Sequence, residues 1–366
     1  MSINRLYDTW KTAIVQLHPH ERITRVRNLV WMMIGMYKSK SVHLSKIAGE
    51  IPGQANNLSI AQRMSRFVKN KAVNVKTWYE PVAKAWIAGQ AETTGEVRLI
   101  LDGTKIGFGY QLLMVSLAFR RRAVPIAWTW VRKPHGKGRS STSTHVALLR
   151  LVHRLVPGGV AVLVVGDSEF GDVPVMQQLE EWDWHYALRQ KGTIQVKLPG
   201  TTAWRNFRDL LTKPGQRVWI QEAFITLKHV HVANLFAYWQ VGEEEPWLIV
   251  TDLPTPAATK KAYGRRMWIE EMFGDFKSNG VDLETTHLRD PERLNRVTLA
   301  VALLCAWLLA TGAQVIKNGW RAAIDRADRR DLSVFQIGFR FIRRCLTNDY
   351  PFPFRLYPPL PKLSGS

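Results

Sequence analysis

The pattern of apolar residues divides the chain into a helical part and a part rich in strands. Spacings of three and four over residues 25–37 and 60–86 predict amphipathic helices. Between them, 44–53 reads as a short helix broken at Pro52-Gly53, and Ser59 predicts the cap of the helix that follows. That helix carries Gln62, Arg63, Arg66 and Lys69 on its polar side. Helix, turn and basic helix is the outline of a DNA-reading helix-turn-helix, although a plain helical bundle has the same pattern. Residues 1–95 are therefore expected to form a helical DNA-binding domain.

After Gly95 the pattern turns to strands. Runs at 97–101, 111–119 and 123–131 predict a three-stranded meander, with Arg120-Arg121-Arg122 at a hairpin tip. A helix over 144–155, a strand over 160–165, a helix over 175–182 and a strand over 185–188 follow. A meander followed by βαβ units predicts an α/β fold with a mixed sheet. Residues 96–189 and 257–320 are expected to be two parts of one core. Strand-like runs at 218–220, 224–227, 231–241 and 247–251 make 190–256 a β-rich insertion between them. The twenty mostly apolar residues 297–316 are long enough to span a membrane, but Thr298, Thr311, Gly312 and Gln314 dilute them. A buried helix packed on the sheet is expected. Residues 321–366 form a basic C-terminal region, whose Pro-rich end, 350–361, reads as an extended arm off the core.

Charge narrows the choice of partner. Lysine and arginine number 51 against 30 acidic residues, a net charge of +21, and the pI is about 10.2. Such an excess favours a polyanion and says nothing of fold. The loop from Lys133 to Ser141 is basic and glycine-rich, suited to tracking a DNA backbone or to serving as a solvated linker. Cys305 and Cys345 form no ligand pattern and fit a reduced cytoplasm. The first residues are charged and lack the apolar centre of a signal peptide.

The chemistry lies in three places. Read as a helix, Tyr263 to Lys277 sets Tyr263, Arg266, Glu270 and Lys277 on one face, a carboxylate framed by two cations and a phenol. A solvated amphipathic helix with an Arg–Glu pair is the plainer reading. Upstream, two apolar runs end on Asp102-Gly103 and on Gly166-Asp167. Each aspartate alone suits a turn or a cap. Strand ends are also where α/β sheets build sites, and three converging carboxylates with few histidines suit Mg²⁺ or Mn²⁺.

The stretches Leu101-Asp102-Gly103-Thr104, Gly166 to Asp172, and Tyr263 to Lys277 together resemble bacterial insertion-sequence transposases of the Asp-Asp-Glu type, in the group with a Tyr-x2-Arg-x3-Glu-x6-Lys signature. Ser168 stands where many relatives carry arginine. The resemblance implies a ribonuclease-H-like fold and cut-and-paste transposition. Asp102, Asp167 and Glu270 would be the catalytic triad and the ligands of two Mg²⁺ ions, with Mn²⁺ as a substitute. Tyr263, Arg266 and Lys277 would hold DNA phosphates. It further implies a homodimer on paired terminal inverted repeats, acting on target DNA in a bacterial cytoplasm on the nucleoid, with no membrane partner. Trp247 is similar in position to a tryptophan that stacks on a flipped base in hairpin-forming relatives, or it packs in the core. Arg189 and Lys191 are further candidates for holding the transposon end. The alternatives are a ribonuclease-H-like nuclease or recombinase that does not join strands, and a silent DNA-binding relative.

Overall fold

A computed structural model describes residues 2–106, 109–133, 140–326, 328–351 and 356–357. Five helices come first: α1 (Ser2–Leu17), α2 (Ile23–Ser39), α3 (Leu44–Gly49), α4 (Asn57–Lys69) and α5 (Val75–Thr94). The helical spacing over 60–86 thus covers two helices. Asn74 divides it, accepting hydrogen bonds from the amides of Lys76 and Thr77 and so starting α5 afresh. The cap of α4 is Asn56 and not Ser59, since Asn56 Oδ1 accepts from the Ser59 amide at 2.8 Å. Ile60, Met64, Phe67 and Val68 bury one face of α4, leaving Gln62, Arg63, Arg66 and Lys69 exposed on the other.

Gly95, in the left-handed region at φ 70°, ends α5 and turns the chain into the sheet. Strands β1 (Glu96–Ile106), β2 (Tyr110–Phe119) and β3 (Arg122–Arg132) form the antiparallel meander. Arg120 and Arg121 both take positive φ at the β2–β3 tip, the geometry of a two-residue hairpin turn. Then come α6 (Thr142–His153), β4 (Ala161–Gly166), α7 (Val173–Glu181) and β5 (His185–Arg189). β4 is parallel to both β1 and β5, and the interior of β4, Val162 to Gly166, is wholly buried. A meander whose first strand opens a parallel run is the ribonuclease-H-like arrangement, here in the order β3-β2-β1-β4-β5.

The β-rich stretch continues this sheet. It contributes β6 (Gln195–Lys197), β7 (Trp204–Asn206), β8 (Arg217–Ile225), β9 (His231–Tyr238) and β10 (Trp247–Thr251). β10 lies antiparallel to β5, and β9, β8, β6 and β7 follow outward, making ten strands in one sheet. The runs at 218–220 and 224–227 belong to a single strand, β8. They look separate because its register shifts between Ile220 and Ala223, where Glu222 takes positive φ.

Four helices close the chain: α8 (Pro256–Tyr263), α9 (Met267–Phe276), α10 (Pro291–Lys317) and α11 (Val334–Asn348). α10 begins at an Asp290 cap with Pro291 in its first turn, and it runs through the core against β3, α2, α5 and α11. It is long and apolar enough to cross a membrane, yet 89% of its most apolar window is buried inside the protein. Two of its polar side chains bond across the core. Thr298 Oγ1 accepts from the Trp130 indole at 3.0 Å, and Arg296 donates to the carbonyls of Val68, in the last turn of α4, and of Val73 just beyond it. Those bonds tie the N-terminal helices to the core. Gly312 and Gly338 let α10 and α11 cross closely, since a Cβ on either would run into the backbone of the other helix. One expectation fails at the C-terminal end. Leu356 is buried and its carbonyl accepts from the Trp86 indole at 2.7 Å, because an apolar side chain there finds an open edge of the core. Residues 352–355 and 358–361 of that stretch lie outside the described residues, as do 134–139 of the basic loop.

Candidate active site

Strand register brings the two aspartates together. β1 does not stop at Asp102-Gly103. It runs on to Ile106, because β2 goes on supplying hydrogen-bond partners there, with Asp102 opposite Met114. Its other neighbour, β4, ends where Gly166 lies opposite Leu101. Asp102 and Asp167 are each the next residue, so both sit at the level where the parallel pairing stops. Asp102 is buried and Asp167 half-buried.

The segment from Tyr263 to Lys277 is not one helix. α8 ends at Tyr263 and α9 starts at Met267, joined by tight turns in which the Arg266 amide donates to the Tyr263 carbonyl at 2.8 Å. Glycine at 264 weakens the helix there, while Arg266 keeps helical φ and ψ and makes one buried ion pair, to Asp102, and one to the exposed Glu270. Arg266 Nη1 donates to Asp102 Oδ2 at 2.8 Å, and Nη2 donates to Glu270 Oε1. Lys277 falls beyond the end of α9 and pairs with Glu284 at 2.9 Å. Of the predicted face, only the Arg266–Glu270 turn follows helical spacing.

One guanidinium therefore bridges two of the three carboxylates. Burial pushes the Asp102 carboxyl up to about 7; Arg266 and the Gly103 amide pull it down, and the charges of Asp167 and Glu270 push it further up. All three carboxylates thus share one electrostatic site. Burial disfavours the charge on Arg266, but Tyr263, Asp102 and Glu270 more than offset this and raise its proton affinity. The Tyr263 phenol is also pushed up by burial, with Arg266 and Arg189 opposing. Its hydroxyl is buried without a hydrogen-bond partner among the described residues, an orphan donor beside the carboxylates.

The remaining candidates scatter around this centre. Trp247 opens β10 half-buried, with its indole edge-on to the Tyr263 ring at 5.0 Å. Arg189, at the end of β5, pairs with Glu245 at 2.9 Å. Lys191 is exposed just beyond it. Arg63 and Arg66 lie on α4, in the N-terminal helices.

Two groups were not picked out from the sequence. Arg122 donates to Asp275 Oδ2 at 3.0 Å and pairs with Glu271 at 2.9 Å, fastening the other side of α9 to the sheet. The signal was the pair of acids four apart, 271 and 275. Glu271 is thereby committed to Arg122, while Glu270 faces Arg266 and Asp102. The second group surrounds Glu169, which accepts four hydrogen bonds. Burial would lift its carboxyl, but donors from Ser140, Gln111 and Lys133 outweigh that and hold it at about 2. An acid two residues past Asp167 was the only hint.

Three carboxylates are hard oxygen donors of the kind Mg²⁺ and Mn²⁺ prefer, so the donor chemistry fits a divalent cation. Among the described residues, however, no group of three His, Cys, Asp or Glu is close enough to hold one as the side chains stand. The guanidinium of Arg266 supplies the positive charge between Asp102 and Glu270.

A family model described as a transposase DDE domain matches residues 95–309. No curated protein matches the chain. Among solved structures, a piggyBac transposase, imaged by cryo-EM in its synaptic complex with hairpin DNA, is similar at 11% sequence identity and a TM-score of 0.45. The match covers 96% of this chain and 83% of that one.

Proposed function

The chain belongs to the transposase DDE domain family, and from that premise we propose that it excises and inserts an insertion sequence by phosphoryl transfer at Asp102, Asp167 and Glu270. One observation carries the assignment of the triad. Adjacent strands deliver Asp102 and Asp167 at the same level, and Arg266 holds Glu270 toward Asp102. These three carboxylates are the groups that would hold Mg²⁺, with Mn²⁺ as a substitute. Bound cations would polarise the scissile phosphate and make an attacking water or 3′-hydroxyl more acidic.

The chain's own residues do the rest. In the free protein Arg266 balances the carboxylates, and it turns to a phosphate oxygen when DNA occupies the site, since a guanidinium pairs as well with phosphate as with carboxylate. Tyr263 offers its orphan hydroxyl to the same backbone. Arg189 and Lys191 line the approach, Lys277 exchanges Glu284 for phosphate, and Arg63 and Arg66 engage the element's terminal repeats. One triad serves nicking and joining because each is an in-line displacement with the same charge build-up at phosphorus. A homodimer on paired ends, and a hairpin intermediate supported by Trp247, complete the cut-and-paste reading.

The test is cleavage of DNA carrying the sequences that border the reading frame, in Mg²⁺. Asp102→Ala, Asp167→Ala and Glu270→Ala should each abolish nicking and leave binding to the ends largely intact. Glu271→Ala should keep nicking. Loss with Glu271→Ala but not with Glu270→Ala would move the glutamate of the triad. Products cut but never joined to target DNA would favour a nuclease.

A further inference from the structure

The carboxylate of Glu169 is where four chain segments meet. Its Oε1 accepts from Lys133 Nζ at 3.0 Å, from the Ser140 amide at 2.8 Å and from Ser140 Oγ at 2.6 Å. Its Oε2 accepts from Gln111 Nε2 at 2.8 Å. Lys133 closes β3, and Ser140 precedes α6. Gln111 lies on β2, opposite the β1 segment that carries Asp102. Glu169 itself sits in the turn after β4, closed by the Phe170 amide donating to the Asp167 carbonyl at 2.9 Å. Lys133, Ser140 and Gln111 are all buried.

The arrangement is specific in its hydrogens. The single hydroxyl proton of Ser140 goes to Glu169, so His145 Nε2, 2.5 Å from the same oxygen, must be the donor of that pair. His145 also packs edge-on against Phe170, the fully buried anchor of the turn. On the other side, the Gln111 amide uses space that only a glycine at 103 leaves open. A Cβ there would come within 2.5 Å of Gln111 Nε2. The residue after Asp102 thus makes room for the side chain that grips the residue two past Asp167.

We propose that Glu169 is a positioning residue for the phosphoryl-transfer reaction: through Gln111 it fixes the separation of Asp102 from Asp167, and through Lys133 and Ser140 it fixes the start of α6 against the same turn. Glu169 itself touches no reacting atom. Its carboxylate is consumed by four protein donors, and it acts by holding the turn that presents Asp167. The inference rests on the transposase reading given above.

The test compares wild type, Glu169→Ala and Glu169→Gln as full chains, on the DNA and in the Mg²⁺ of the preceding experiment. Displacing a reacting group by about 1 Å can cost about a hundredfold in rate. Glu169→Ala should lose on that order in kcat, with an unchanged Kd for DNA. Amide exchange should rise over residues 140–145, where the Ser140 contacts are gone. Glu169→Gln should recover most of the rate. The introduced amide still accepts from Lys133 and Ser140, and the Gln111 amide can flip to present its Oε1, now buried without a partner. That rescue is the outcome a merely destabilised fold would not give. Wild-type kcat in Glu169→Ala would overturn the inference, as would a loss no larger than its unfolded fraction. Equal loss in both variants would also overturn it, by assigning the negative charge itself to the chemistry. A wild type that leaves DNA uncut sinks the transposase reading and this inference with it, whereas a cutting wild type with an unaffected Glu169→Ala sinks the inference alone.

Discussion

Replacing Arg122 with methionine separates what holds α9 in place from what α9 does. Asp275 is 3% exposed and meets Arg122 Nε at 3.0 Å; Glu271 and Cys305 are its other titratable neighbours. Burial lifts its carboxyl to about 7 even with Arg122 pulling it down, and Glu271 adds to the rise. Because that value lies above the ordinary 3.8, the associated stability is complete below about pH 4 and is lost as pH climbs through about 7. Without Arg122 the carboxyl keeps its proton to still higher pH. Below pH 6 both proteins hold the proton, so the stability gap between them should be small and flat, about one hydrogen bond or ~1 kcal/mol. Above pH 7 the wild type has released the proton and the variant has not. The gap should then widen by about 1.4 kcal/mol per pH unit, towards the ~3–5 kcal/mol typical of a broken buried pair. Urea unfolding followed by tryptophan fluorescence, in unit steps from pH 5 to pH 9, measures the gap directly. A gap that is level from pH 6 to pH 9, or that widens towards acid, would mean that Arg122 does not hold the Asp275 carboxylate. Nicking by the variant should fall at every pH, since Glu270 rides on the helix that Arg122 fastens.

Two further outcomes are expected. Trp247→Ala should spare the first nick and slow hairpin formation, with phenylalanine at 247 restoring part of the rate through its stacking face, read from the ratio of nicked to hairpin product; equal loss of both steps together with a lowered melting temperature would make Trp247 a packing partner of Tyr263 and nothing more. Arg63→Ala and Arg66→Ala should each weaken binding to the element's ends and reduce the slope of log affinity against log salt by about one, measured by fluorescence anisotropy. Point substitutions suit that question better than deleting the first 90 residues, because Arg296 and Leu356 bond into that region and a deletion would strip the core.

Local chemistry made most elements legible. The β2–β3 hairpin follows from two apolar runs on either side of Arg120-Arg121-Arg122, and β4 from an unbroken Val-rich run; α10 follows from sustained apolarity behind an Asp-Pro start. Neighbouring residues placed Asp167 at a strand end and Arg266 one turn before Glu270, whereas the strand that carries Asp102 runs on past the Asp-Gly pair that looked like its end. The partition of the helices was less visible. Asn56 and Asn74 compete with serine and with helix continuation by margins of about 1 kcal/mol, too small to rank without the packing around them.

What the chain specifies by itself, then, is periodicity, and with it which residues lie on which face of which element. Pairing between distant segments was decided only in three dimensions. Asp102 and Arg266 are 164 residues apart, and no local pattern says that the guanidinium at 266 will bridge a carboxylate on its own helix and one on a distant strand. The joining of β10 to β5, which turns an expected insertion into five more strands of one sheet, is likewise a choice between edges that look alike in sequence. The meeting of Lys133, Ser140, Gln111 and Glu169 is of the same kind. Each is an ordinary polar residue until burial removes water and makes an unpaired donor or acceptor costly, and only the folded core determines which of them are left to satisfy one another.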